Sequence, residues 1–202
     1  MSWRAPRAVE DAVSSNQFAF DLGDPQPAPA TDILYFALLP DEPAATQALA
    51  IAERDFADQA ADGFIYRPDR LHVSVDKRWQ GRGMPDFAVA DALRQGARID
   101  VPPVEIRLDR LVSNGNGRDR PRALTTRDAA PGFSALVRQI GALKRPLAAI
   151  PHMTLYRNDR VAPEIRVSEP VSWVARELVL IHARKGTGSA KILARWPLLP
   201  AR

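Results

Sequence analysis

The sequence predicts an α+β fold, and three observations carry that prediction. Helical stripes and hairpin signals mix along the chain without a strict βαβ alternation. Turn chemistry at Ser113-Asn114-Gly115-Asn116-Gly117 joins two extended runs as a hairpin. A helix leading to a strand with His-x-Ser at 72–74 is echoed by a helix leading to a strand with His-x-Thr at 152–154, which hints at two related halves.

Residues 1–31 hold no sustained apolar period and end in Asp24-Pro25-Gln26-Pro27-Ala28-Pro29-Ala30. Alternating Pro and Ala stiffens a segment and removes backbone donors, so this stretch reads as a poorly ordered tail or linker before a domain at 32–202. The apolar run Ile33–Leu39, ended by Pro40, suits a buried strand. Asp41 caps an Ala-rich helix with Pro43 in its first turn and Leu49, Ala52 and Phe56 on its inner face. Leu71–Val75 reads as a strand, and Phe87–Ala97 as a helix whose stripe runs Phe87, Ala90, Leu93.

Val104–Leu108 alternates with period two, as a half-exposed strand does, and Ala123–Thr126 is the returning strand of the hairpin. Phe133, Leu136, Val137, Ile140 and Leu143 form the clearest helical stripe. Pro151–Tyr156, Glu177–Ala183 and Lys191–Trp196 read as the closing strands. Lys185–Lys191 joins two strands and lacks the G-x-x-x-x-G-K-[ST] spacing, so it is not a nucleotide loop.

The 202 residues, 46% hydrophobic and 26% charged, suffice for one packed domain with a tail. The absence of Cys excludes disulfides, a thiol nucleophile, iron–sulfur clusters and a Cys-based zinc site, and fits a reducing compartment. No stretch approaches a membrane span, and Glu10 and Asp11 fall where a signal peptide needs its apolar region, so a cytoplasmic protein without membrane partner is expected. The net charge is +4 and only four of the 28 basic residues are lysines. Arginine suits phosphate, although a GC-rich genome writes Arg for Lys throughout.

Two of the three histidines sit in matching contexts, Leu71-His72-Val73-Ser74-Val75 and Pro151-His152-Met153-Thr154-Leu155. In a strand, positions i and i+2 share a face, so each motif presents an imidazole and a hydroxyl together while its apolar residues face the core. Two imidazoles can divide one reaction, one accepting a proton from the attacking oxygen and the other giving one to the leaving oxygen. Paired hydroxyls can hold phosphoryl oxygens without competing for that proton. The set suits in-line displacement at a phosphodiester without metal or other cofactor.

On these motifs the chain resembles the two-histidine phosphoesterase superfamily, specifically the bacterial 2'-5' RNA ligase / RNA 2',3'-cyclic phosphodiesterase family. Tyr35-Phe36-Ala37-Leu38, Arg67-Pro68, Pro151–Arg157, Leu178-Val179-Leu180 and Arg195-Trp196-Pro197-Leu198 extend the resemblance from Ile33 to the C-terminus. It implies two pseudo-symmetric lobes, each an antiparallel sheet with flanking helices, around a central cleft. It implies hydrolysis of an RNA or nucleoside 2',3'-cyclic phosphate to a 2'-phosphomonoester. In that scheme His72 is the proton donor, His152 the proton acceptor, and Ser74 and Thr154 hold the phosphate. The chain departs from the pattern with Ser at 74 and with Asp76-Lys77-Arg78-Trp79 where relatives continue as an apolar strand.

Arg157 is a candidate phosphate contact or a solvated strand end. Arg118, Arg120 and Arg122 form a solvated basic loop or a grip on an RNA backbone. Tyr35, Phe36 and Tyr156 are candidates for stacking a base, against the commoner core role of strand aromatics. His182, with no acidic cluster beside it, reads as structural rather than metal-binding. RNA ends or small cyclic nucleotides are the expected partners of a monomer. The alternatives are 2'-5' RNA ligation, hydrolysis of another phosphodiester, and a catalytically silent nucleotide-binding module.

Overall fold

The structure, a computed structural model, describes residues 30–59, 62–114, 119–141, 149–185 and 187–199. Nine strands among them form one sheet with entirely antiparallel pairing. One half runs β3 (Val73–Gly81), β1 (Thr31–Leu38), β8 (Glu177–Lys185), β9 (Ser189–Pro197). The other runs β6 (His152–Asn158), β5 (Arg120–Thr125), β4 (Val104–Ser113), β7 (Ile165–Ala175), with the short β2 (Gly63–Ile65) also on β6. The halves flank the β3–β6 seam, four strands to a side with β2 added on the β6 side, and make the expected α+β fold of two related lobes.

One face of this open sheet carries α1 (Glu42–Gln59), α2 (Asp86–Gly96) and α3 (Pro131–Gly141), and a single apolar core lies between. Strand alternation explains the sorting: Leu34, Phe36 and Leu38 enter the core, while Tyr35 and Ala37 belong to a smaller cluster with Val179 and Ile181. Helix α1 starts where predicted, because the Asp41 carboxylate accepts the Ala44 N–H at 3.0 Å. Helix α3 buries the predicted Phe133, Leu136 and Ile140. Of the expected tail only Ala30 and Thr31 are described, and Thr31 already opens β1.

Several predicted details are corrected. The inner stripe of α2 is Ala88, Ala92 and Gly96, whereas Phe87 is 68% exposed and meets Trp79 edge-on. The helix packs through its smallest residues because Trp196 approaches so closely that a Cβ on Gly96 would lie 2.5 Å from its ring. Strand β3 runs on through Asp76-Lys77-Arg78-Trp79 to Gly81, its charges satisfied by Arg78 bonding Asp76 and Asp91 at 3.1 and 2.9 Å. Strand β7 has no counterpart in the sequence reading. Its first half, with Arg166, Ser168, Glu169 and Pro170, lies at the sheet edge where proline is tolerated, and only Val171, Trp173 and Ala175 alternate inward.

A buried ion pair fastens α1 to the β5–β6 lobe. Arg122, 1% exposed, donates to both Asp55 carboxylate oxygens at 3.0 and 3.3 Å and to the Ala162 and Pro163 carbonyls at 3.2 and 2.9 Å. The Tyr156 hydroxyl donates to the same Asp55, and burial and that carboxylate both push the phenol pKa upward.

Asp55→Ala strands the Arg122 charge in the interior and is expected to cost about 3–5 kcal/mol in urea unfolding. Gly96→Ala drives a methyl into the Trp196 ring, itself held against Phe36 at 5.8 Å. It is expected to lower the unfolding midpoint, the overpacking cost of about 1–3 kcal/mol exceeding the up to ~1 kcal/mol that the change gains in an open helix.

Candidate active site

The two lobes meet at one backbone pairing, Val73 with Met153. Both side chains are fully buried in the core. Alternation then turns their neighbours, His72 and Ser74 on one strand and His152 and Thr154 on the other, toward the helix-free face. Continuing the antiparallel register by one residue each way sets His72 opposite Thr154 and Ser74 opposite His152. The imidazoles occupy one diagonal of that square and the hydroxyls the other; such diagonals span about 7–8 Å in a paired sheet. His72, Ser74 and Thr154 are half-buried and His152 is exposed.

The surroundings of His72 specify its chemistry. Its Nδ1 lies 2.7 Å from the Arg70 carbonyl oxygen, which can only accept, so Nδ1 carries the hydrogen and Nε2 is the nitrogen left for a further partner. Tyr35 packs on the ring with centroids 5.1 Å apart. Burial lowers the His72 pKa below the ordinary imidazole value. The Arg70 carbonyl opposes that shift, and the Arg70 and His152 charges add to it. Burial likewise raises the Tyr35 pKa, with Arg70 opposing and Tyr66 adding. Arg70 itself is anchored to the Gly188 carbonyl.

Other predicted site residues fall elsewhere. Tyr35 is half-buried against His72, a position that supports the ring. Phe36 and Tyr156 are fully buried, Phe36 against Trp196 and Tyr156 against Phe56, so neither can stack on a base. Arg157 is tied to Asp119 at 2.8 Å and to the Tyr66 hydroxyl at 3.1 Å, an ion pair in place of an open phosphate contact. Arg122 is the buried partner of Asp55 and cannot reach RNA. Arg120 is half-buried in β5, and Arg118 lies outside the described residues.

His182 bonds Asp32 at 2.6 Å, across β1 and β8, and that bond, with Arg184 and the Gly83 N–H, holds the Asp32 carboxyl below its ordinary pKa against the opposing effect of burial. Among the described residues no cluster of three metal-ligating side chains occurs, and no helix is long and apolar enough to cross a membrane.

The sequence reading missed Arg70 and Thr125. Arg70 ends the proline-initiated turn Pro68–Arg70 just before His72, and the run Arg67-Pro68-Asp69-Arg70 was its available signal. Thr125 pairs with His152 across β5 and β6 and donates to the Pro151 carbonyl at 3.0 Å, fixing the approach to the second motif. Its role depends on the sheet register, which no local pattern announces.

No protein-family model and no curated protein matches the sequence. Solved structures do match in fold. Escherichia coli LigT in its apo form aligns with TM-score 0.66 and 21% identity over 85% of this chain and 99% of that one. LigT complexed with NADP+ gives 0.68 and 20% over 84% and 99%. TT0787 of Thermus thermophilus gives 0.55 and 18% over 82% and 97%. The chain is therefore built on the same fold as LigT.

Proposed function

We propose that this chain is a phosphodiesterase that hydrolyses an RNA or nucleoside 2',3'-cyclic phosphate to a 2'-phosphomonoester, using its two imidazoles for both proton transfers and requiring no metal. The observation that carries the reading is the Val73–Met153 pairing, which sets two imidazole–hydroxyl pairs diagonally on one open face. Water attacks phosphorus and passes its proton to His152, the bond to the 3'-oxygen breaks, and His72 protonates that oxygen from Nε2. Ser74 and Thr154 donate hydrogen bonds to the phosphoryl oxygens, whose negative charge grows in the transition state. The Arg70 carbonyl and the Tyr35 ring position His72. LigT has been solved with 3'-AMP and with phosphate, the kinds of group this site would hold. With a 5'-hydroxyl in place of water, that hydroxyl attacks phosphorus and passes its proton to His152, His72 protonates the leaving 3'-oxygen, and a 2'-5' linkage forms.

Incubation with a nucleoside 2',3'-cyclic phosphate in excess EDTA is expected to release the 2'-phosphate. His72→Ala and His152→Ala each lose about 10²–10⁴-fold in kcat, and Ser74→Ala and Thr154→Ala about 10²-fold. Tight binding without product indicates the silent module, and activity abolished by the chelator refutes the metal-free mechanism.

The pH profile of kcat/KM is expected to be bell-shaped, since one ring must be protonated and the other neutral. Its acid-side breakpoint is the lower of the two pKa values, whichever ring acts as base. Because His72 lies below 6.5 in the free protein, that breakpoint falls below 6.5 as well. A breakpoint above it contradicts the proposed pair.

A further inference from the structure

A cavity of about 510 Å³ opens beside His152, walled by Val112, Ile150 and Ala162 and carrying the polar side chains of Asn114, Thr126 and Glu164. That volume lies within the range of small-ligand sites and accommodates a nucleoside. Glu164 stands out among its lining groups. One carboxylate oxygen accepts Arg110 at 2.8 Å and the other accepts Arg127 at 2.6 Å, so the group is clamped from both sides. Arg127 first and then Arg110 hold its pKa below the ordinary carboxylate value, with burial opposing. Each oxygen keeps a further lone pair for a ligand.

An anionic carboxylate repels phosphate, so the part of a ligand that reaches Glu164 must donate hydrogen bonds. Continuing the pairing of Leu111 with Ile165 sets Glu164 opposite Val112. Val112 pairs with Ala123, and Ala123 with Thr154. Glu164 and Thr154 thus stand in one transverse row, three strand spacings or about 14 Å apart. A nucleoside with its cyclic phosphate at Thr154 lies along that row and brings the edge of its base to the carboxylate. Among the four RNA bases only guanine offers two adjacent donors, N1–H and the N2 amino group. Adenine and cytosine offer one amino group beside an acceptor, and uracil a single N–H between two carbonyls.

We propose that this cavity is a guanine-reading subsite, in which Glu164 accepts N1–H and N2–H from the base whose ribose carries the scissile phosphate. The assignment rests on the cyclic-phosphate reading above and adds a base preference to it. The test compares guanosine, adenosine, cytidine and uridine 2',3'-cyclic phosphates on the full chain. The guanosine substrate is expected to exceed the others in kcat/KM by roughly tenfold or more, the scale of a hydrogen bond to a charged group. Inosine, which lacks the N2 amino group, should fall between guanosine and adenosine. Glu164→Gln should collapse the guanosine-to-adenosine ratio toward one.

Equal kcat/KM for the four substrates, or a guanosine preference that survives in Glu164→Gln, overturns the subsite while leaving the phosphodiesterase reading intact. Calorimetric binding of guanosine and adenosine 2'-monophosphates separates the two claims from the other side. Tighter guanosine binding in a chain without turnover supports the subsite alone, and equal or absent binding refutes it.

Discussion

A single pairing between two strands constrains the rest of the molecule. Val73 and Met153 fill the core beneath the joint between the lobes, and their backbones join there and at no other described residue pair of β3 and β6. Because a strand alternates its faces, burying those two side chains obliges the residues on either side to face outward. The four polar side chains share one face because their apolar neighbours share the core. A slip of one residue in this register would send imidazoles into the interior and valine into solvent, so the hydrophobic driving force that closes the fold also specifies the site.

The electrostatics follow from that placement. His72 is half-buried between Tyr35 and the turn ending at Arg70, and the neutral ring is favoured there by desolvation and by neighbouring cations. A carbonyl that can only accept determines which nitrogen faces outward. The wealth of arginine has a different meaning from the one its count suggests. Arg122 is buried on Asp55, Arg110 and Arg127 clamp Glu164, Arg78 bridges Asp76 and Asp91, and Arg157 holds Asp119. These guanidiniums are engaged in ion pairs within the same chain.

The legible parts of the fold were those with a strong local period. Strand β1, the start of α1, the stripe of α3 and the strand of the second histidine motif appear where an apolar run, the Asp41 cap, 3.6-residue spacing and alternation put them, whereas β3 begins at Val73 and runs beyond the expected Val75. The failures have a common cause in distant partners. The stripe of α2 follows its small residues because Trp196, far along the chain, demands the space. Strand β7 reads as a polar segment with a proline, yet pairs because β4 offers an edge. Tyr156 lies in the second motif's own strand but turns inward, since a bulge between Arg122 and Ala123 shifts the register there and Asp55 waits below to accept its hydroxyl.

The sequence by itself determined the chemistry available to this protein: two imidazole–hydroxyl pairs at strand spacing, no thiol, and apolar neighbours that force each pair to a common face. Those properties are local, encoded in residues two apart on a rigid backbone. Only the tertiary structure decided that the pairs oppose each other across one seam, that His72 keeps its hydrogen on Nδ1, and that a clamped carboxylate shares a cavity with His152. Each of these depends on contacts between residues far apart in the chain, and such contacts arise only when burial of the common core brings the strands together.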